Sequence, residues 1–149
     1  ARGRFAMLNI AYAVVGAVFM VGMALFAFLK GGRAERFGAG AYLSAWFASI
    51  VLQENSGFRG MPAGLFLIDL AALIVFIAIA WRYRQSWPVW ASGVQLITVM
   101  CHVMILTKQP VLLGSLITVM NLNSYLIIGF LIFGTLVSWQ ERHAEEMAR

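Results

Sequence analysis

The stretch WPVWASGVQLITVMCHVMILTK, Trp87 to Lys108, has the length and apolar character of a membrane-spanning helix, yet it holds Gln95, Thr98 and His102. At about 1.5 Å of rise per residue, roughly 20 residues cross a hydrocarbon core of about 30 Å. Pro88 stands where a helix begins, and a proline in the first turn removes an amide hydrogen that has no intrahelical partner anyway. Spacings of three and four put Gln95, Thr98 and His102 on one face of that helix. An amide, a hydroxyl and an imidazole on one face predict that this face meets other helices, because lipid tails offer no hydrogen bonds.

The rest of the chain sets the same solvent. Of its 149 residues 62% are hydrophobic and 11% charged, and the mean hydropathy is +0.84. A soluble domain carries about 25% charged residues, so this chain cannot cover itself with a wetted surface. The net charge of +5 comes from short basic clusters between apolar runs. Such clusters read as topology signals and headgroup contacts, and they exclude the basic face of a nucleic-acid binder. Cys101 is the single cysteine, which excludes an intramolecular disulfide, a CxxC redox pair and a cysteine metal cluster.

Working outward from Trp87, apolar segments cover residues 5–29, 37–53, 63–81, 87–106 and 111–139. Gly31-Gly32, Gly57, Gly60-Met61-Pro62 and Gln109-Pro110 punctuate the turns between them. The pattern predicts an all-α integral membrane protein, a compact bundle of five transmembrane helices forming a single domain over residues 1–149. The second segment is short, so four spans plus a re-entrant second segment is the alternative. The first run is longer than the apolar core of a signal peptide, and it ends in Phe28, Leu29 and Lys30; it reads as a retained helix. Residues 140–149 read as a mixed-charge helical tail.

Five spans place Lys30, Arg33, Arg36, Arg82, Arg84, Arg142 and Arg149 on one side, and Arg2, Arg4, Arg59 and Lys108 on the other. The positive-inside bias puts the first group in the cytoplasm, with the N-terminus outside, in a membrane of the bacterial inner-membrane type. Trp81, Tyr83, Trp87, Trp90 and Trp139 fall at the same end and are expected as interfacial anchors.

Small and polar stripes recur: Asn9, Ala13 and Ala17 in the first segment; Ala41, Ala45, Ser49 and Gln53 in the second; Gly114, Thr118, Asn121, Tyr125 and Gly129 in the fifth. Each is expected to face inward, since helices in lipid associate through small residues and interhelical hydrogen bonds. Depth along each helix then gathers Asp69, His102, Gln95, Asn121 and Gln53 in the outer half of the bundle, as an ion or hydrogen-bond network. Asp69 and His102 are expected within hydrogen-bonding reach. An ionisable residue inside a span is costly unless paired, which makes Asp69 a candidate functional residue.

No HExxH, GxSxG, P-loop or paired-aspartate pattern occurs. A conventional zinc site would need three or four ligands, so no metal is expected. The sequence requires no cofactor. His102 is the only plausible single ligand for a haem or pigment, because His143, the second histidine, lies in the charged tail. The expected partners are membrane lipids and other transmembrane subunits. The sequence is therefore read as a non-catalytic accessory or assembly subunit of a larger energy-transducing complex, respiratory or photosynthetic. The alternative is a small-solute or proton carrier built on Asp69 and His102.

Overall fold

The computed structural model describes residues 2–110 and 112–149; for Arg2, Phe5 and residues 54–62 it describes the backbone alone. Helical backbone covers α1 (Arg2–Lys30), α2 (Arg33–Tyr83), α3 (Trp87–Leu106) and α4 (Leu113–Met147), with no strand among the described residues. Four stretches are long and apolar enough to cross a membrane: Ala6–Lys30, Ala63–Tyr83, Trp87–Leu106 and Leu113–Met147. α3 covers the same residues as the fourth apolar segment, 87–106, with Pro88 in its first turn and Gln109-Pro110 beyond its end.

Although α2 is helical over 51 residues, it is not one straight rod. A Cβ built on Gly64 would lie 2.3 Å from Leu52 Cδ2. Twelve residues of straight helix would put those positions about 18 Å apart. Further along, the Tyr42 and Phe76 rings sit 5.9 Å apart, and Arg33 and Tyr83 line one cleft. The chain thus doubles back into two arms, residues 33–52 and Ala63–Tyr83, paired along their length as a re-entrant loop would not be. The bundle has five helical rods. The first arm is the least apolar because Arg33, Glu35 and Arg36 open it and Gly38, Gly40, Ser44 and Ser49 interrupt it.

Successive rods run up and down. Gln95 of α3 reaches Asp69 while Trp87 meets Phe76, so α3 is antiparallel to the second arm. Thr98 meets Asn123 and Trp87 meets Gly134, so α4 reverses again. In consequence α1 and α4 are parallel, with Gly16 beside Tyr125 and Lys30 over the Trp139 ring. The turn from α1 to α2 is closed by the Gly31 N–H donating to the Ala27 carbonyl at 2.8 Å. A side chain at Gly31 would collide with that same carbonyl oxygen. Arg142 of α4 donates to the Lys30 carbonyl, which satisfies an orphan acceptor at the end of α1.

The core is made of Met20, Met23 and Ala27 of α1, Ala39, Tyr42, Phe76 and Ile79 of α2, Trp87 and Ala91 of α3, and Ile127 and Leu131 of α4. Large apolar side chains such as Ile10, Leu29, Leu67, Ile74, Val89 and Leu122 point outward instead. In water such a surface would drive aggregation, whereas in a bilayer it is solvated by lipid.

Trp87 occupies the tightest place. Its indole is 2% exposed and lies between two glycines. A Cβ on Gly38 would come within 2.5 Å of Trp87 Cη2, and one on Gly134 within 2.3 Å of Cδ1. Neither ring nor backbone can yield, so Gly134→Val should cost about 1–3 kcal/mol, the scale of overpacking. Gly129→Val, on the same helix with nothing within 4 Å, should change stability by less than about 0.5 kcal/mol. Thermal unfolding of both variants in one detergent checks the contrast.

Candidate functional site

The polar face of α3 is buried as its spacing requires, with Gln95 1%, Thr98 6% and His102 5% exposed. It faces Asp69, about 9 Å along the second arm from Ala63 by helical rise. Asp69 Oδ2 and His102 Nε2 are 2.7 Å apart. The Gln95 amide donates from Nε2 to Asp69 Oδ1 at 2.9 Å and to the Asp69 backbone carbonyl at 3.0 Å. Gln95 and His102 stand two turns apart on α3 and grip one carboxylate from both sides. A turn away, Asn123 of α4 donates to Thr98 Oγ1 at 3.2 Å. Three packed elements, the second arm, α3 and α4, thereby share one hydrogen-bonded layer. No buried side-chain nitrogen or oxygen among the described residues lacks a partner, as the low dielectric demands.

Two residues expected in this layer are elsewhere. Gln53 is exposed at the end of the first arm. Asn121 is exposed on the outside of α4, and Asn123 takes the inward position. The two asparagines are separated by about 200° around the helix, so only one of them could face the core. The stripe of Gly114, Thr118, Asn121 and Gly129 is exposed as a whole, and Tyr125 reaches only the side of α1. The inward line of α4 is Leu116, Asn123, Ile127, Leu131, Gly134 and Ser138. The period of those mostly apolar residues, carried back through Asn123, is the signal that identifies the buried face. In α1 likewise, Asn9 and Ala13 are exposed.

A third correction concerns Trp87. It is not an interfacial anchor, because its ring is in the core; Trp81, Trp90 and Trp139 are 86%, 65% and 40% exposed, and Tyr83 is half-buried. The reason is a second acidic centre that sequence reasoning missed. Glu35 is 0% exposed, and its Oε1 accepts from Ser138 Oγ at 3.0 Å and from Trp87 Nε1 at 3.0 Å, the indole N–H being shared with Gln85 Oε1 at 2.8 Å. Its Oε2 accepts from the Gly32 backbone N–H at 2.8 Å. Glu35 is the third residue of α2, where a glutamate reaches back to the N-cap amide and gains from the helix dipole. That position after Gly31-Gly32 is the signal that could have found it, although residue 35 falls between the apolar segments 5–29 and 37–53.

Two carboxylates therefore anchor two polar layers toward opposite ends of the bundle. Between them Phe76, fully buried, contacts Tyr42 on one side and Trp87 on the other at ring separations of 5.9 and 6.3 Å. Asp69 and His102 are close enough to exchange a proton. His102, the one candidate ligand for a haem or pigment, commits Nε2 to Asp69. No three His, Cys, Asp or Glu side chains among the described residues cluster as metal ligands would. No protein-family model matches the chain, and no curated protein or solved structure matches it.

The geometry predicts how Asp69 responds to substitution. Asp69→Asn keeps an oxygen for one neighbour and should leave stability nearly unchanged. Asp69→Leu strips Gln95 and His102 of their shared acceptor and should cost about 1–2 kcal/mol, the scale of interhelical hydrogen bonds in membranes. Unfolding of both variants in mixed micelles reads the difference.

Proposed function

We propose that the protein is a non-catalytic subunit of a larger membrane complex, of the energy-transducing respiratory or photosynthetic kind, and that it packs against a partner's transmembrane helix. One observation supports the reading above others. Residues 6–15 of α1 are exposed on every side, and so are Gly114, Thr118 and Asn121 of α4. With Gly16 beside Tyr125 in two parallel helices, Asn9 comes level with Thr118 and Tyr12 with Asn121. Polar groups thus stand on the outside of an apolar bundle at matched depths. An unpaired amide in hydrocarbon costs on the order of 2–7 kcal/mol, and a partner helix with its own small or polar face removes that cost. The energy-transducing setting rests on the composition and on the lack of a catalytic motif.

A second reading has its own observation. The Asp69 side chain is 27% exposed while held 2.7 Å from His102, which suits a proton or cation carrier. The two readings separate in experiment. After gentle extraction from its native membrane the protein should migrate with larger partners, and the pair Asn9→Leu with Asn121→Leu should release it as a folded monomer. Migration of the unmodified protein as a monomer or simple homo-oligomer would favour the carrier. The carrier predicts proton flux in proteoliposomes that Asp69→Asn abolishes.

A further inference from the structure

At the end of the bundle opposite Asp69, a cleft of about 540 Å³ opens between the end of α1 and the two arms of α2, lined by Phe28, Arg33, Arg36, Phe37 and Tyr83. We propose that this cleft is a binding site for the phosphate of an anionic phospholipid, with an acyl chain laid along its aromatic wall. The proposal is independent of the subunit reading.

The charge balance comes first. Arg33 and Arg36 are exposed and three residues apart, so both guanidinium groups stand on one side of the first turn of α2. Glu35 between them is turned into the bundle, its oxygens taken by Trp87, Ser138 and the Gly32 amide. No ion pair among the described residues includes either arginine; the ion pairs there are His102 with Asp69 and His143 with Glu146. The carboxylate between the two arginines is thus turned into the core, and Glu141 at the same end lines a separate cleft with Arg84, which leaves two positive charges at the mouth of this one. Lys30 lies over Trp139 and Arg142 caps α1, so the neighbouring cations have other tasks. Arg82 adds a third guanidinium near the rim, 5.9 Å from the Tyr83 ring.

The walls decide which anion fits. Phe28 and Phe37 are 43% and 61% exposed, and Leu29 at the rim and Leu25 a turn below it add exposed apolar surface on α1. A small hydrated anion gains nothing from such walls. A phospholipid uses both parts, placing its phosphate on forked guanidinium donors and its chain on the aromatic and aliphatic surface. Basic pockets between helices at a membrane face bind anionic headgroups by this combination. A choline headgroup would bring its own positive charge against Arg33 and Arg36, so the site selects lipids of net negative charge.

Delipidated protein, returned to nanodiscs of phosphatidylcholine with increasing phosphatidylglycerol, provides the test. Native mass spectrometry should find retained phosphatidylglycerol in preference to phosphatidylcholine. Arg33→Gln with Arg36→Gln should weaken that preference by roughly 30-fold, about fivefold for each guanidinium lost. Arg4→Gln with Lys108→Gln, at the other end, should leave it unchanged. Equal retention of the two lipids by the unmodified protein would overturn the proposal whatever the variants do. An unchanged preference in the folded double variant would also overturn it. Inorganic phosphate supplies the remaining arm: displacement of the lipid by millimolar phosphate would identify a free-anion site and count against a lipid.

Discussion

The hydrogen bond from the Trp87 indole to Glu35 is the contact on which the packing of the basic end depends. Glu35 begins α2, Trp87 begins α3, and Ser138, which donates to the same oxygen, lies near the end of the apolar part of α4. Three rods are therefore tied at one carboxylate, within the first turn of α2 and of α3. A carboxylate at 0% exposure is tolerable only because three donors reach it and the amino end of α2 favours its charge. The ring that supplies one of those donors needs room, and Gly38 and Gly134 provide it. Backbones can approach the indole closely only where both lack a side chain.

From that tie the rest of the bundle follows one rule: in a bilayer each buried polar group needs a protein partner. Asp69 obeys it through Gln95 and His102, Asn123 through Thr98, and the hydroxyls of Ser44, Ser49, Ser92, Thr118 and Thr135 through carbonyls four residues back on their own helices. The two acidic layers do not join. Phe76, Ile127 and Leu131, each at most 1% exposed, stand between them as apolar filling. A proton crossing the bundle would have to pass that layer, so the interior as packed favours holding helices together over conduction. The exposed amides of Asn9 on α1 and Asn121 on α4 are where the rule goes unmet within the chain, which is why the proposed function looks outward from them.

Much of this was legible in the residues. Pro88 and the Gln109-Pro110 turn bracket α3, and the spacing of Gln95, Thr98 and His102 marks its inner face. Asp69 could be matched to His102 because helical rise converts sequence position into depth. The failures share a cause: small or polar character does not by itself say which side of a helix is buried. The stripe through Asn121 reads as an inward face and is exposed on the outside of α4, while Asn123 needs the apolar period around it to be recognised. Trp87 reads as an anchor because tryptophan prefers the interface, but pairing with a buried glutamate overrides that preference. Glu35 itself is hidden among arginines, and only its place in the first turn of a helix separates it from a solvated charge.

The claim that the Glu35 junction holds the rods together is tested most directly by a double-mutant cycle of Trp87→Phe and Glu35→Leu, with unfolding free energies measured in one detergent. If the two residues act as one contact, the double variant should be more stable than the sum of the single losses implies, with a coupling of about 1 kcal/mol or more. Additive losses, with coupling near zero, would mean that the indole and the carboxylate stabilise the bundle separately, and would contradict the account.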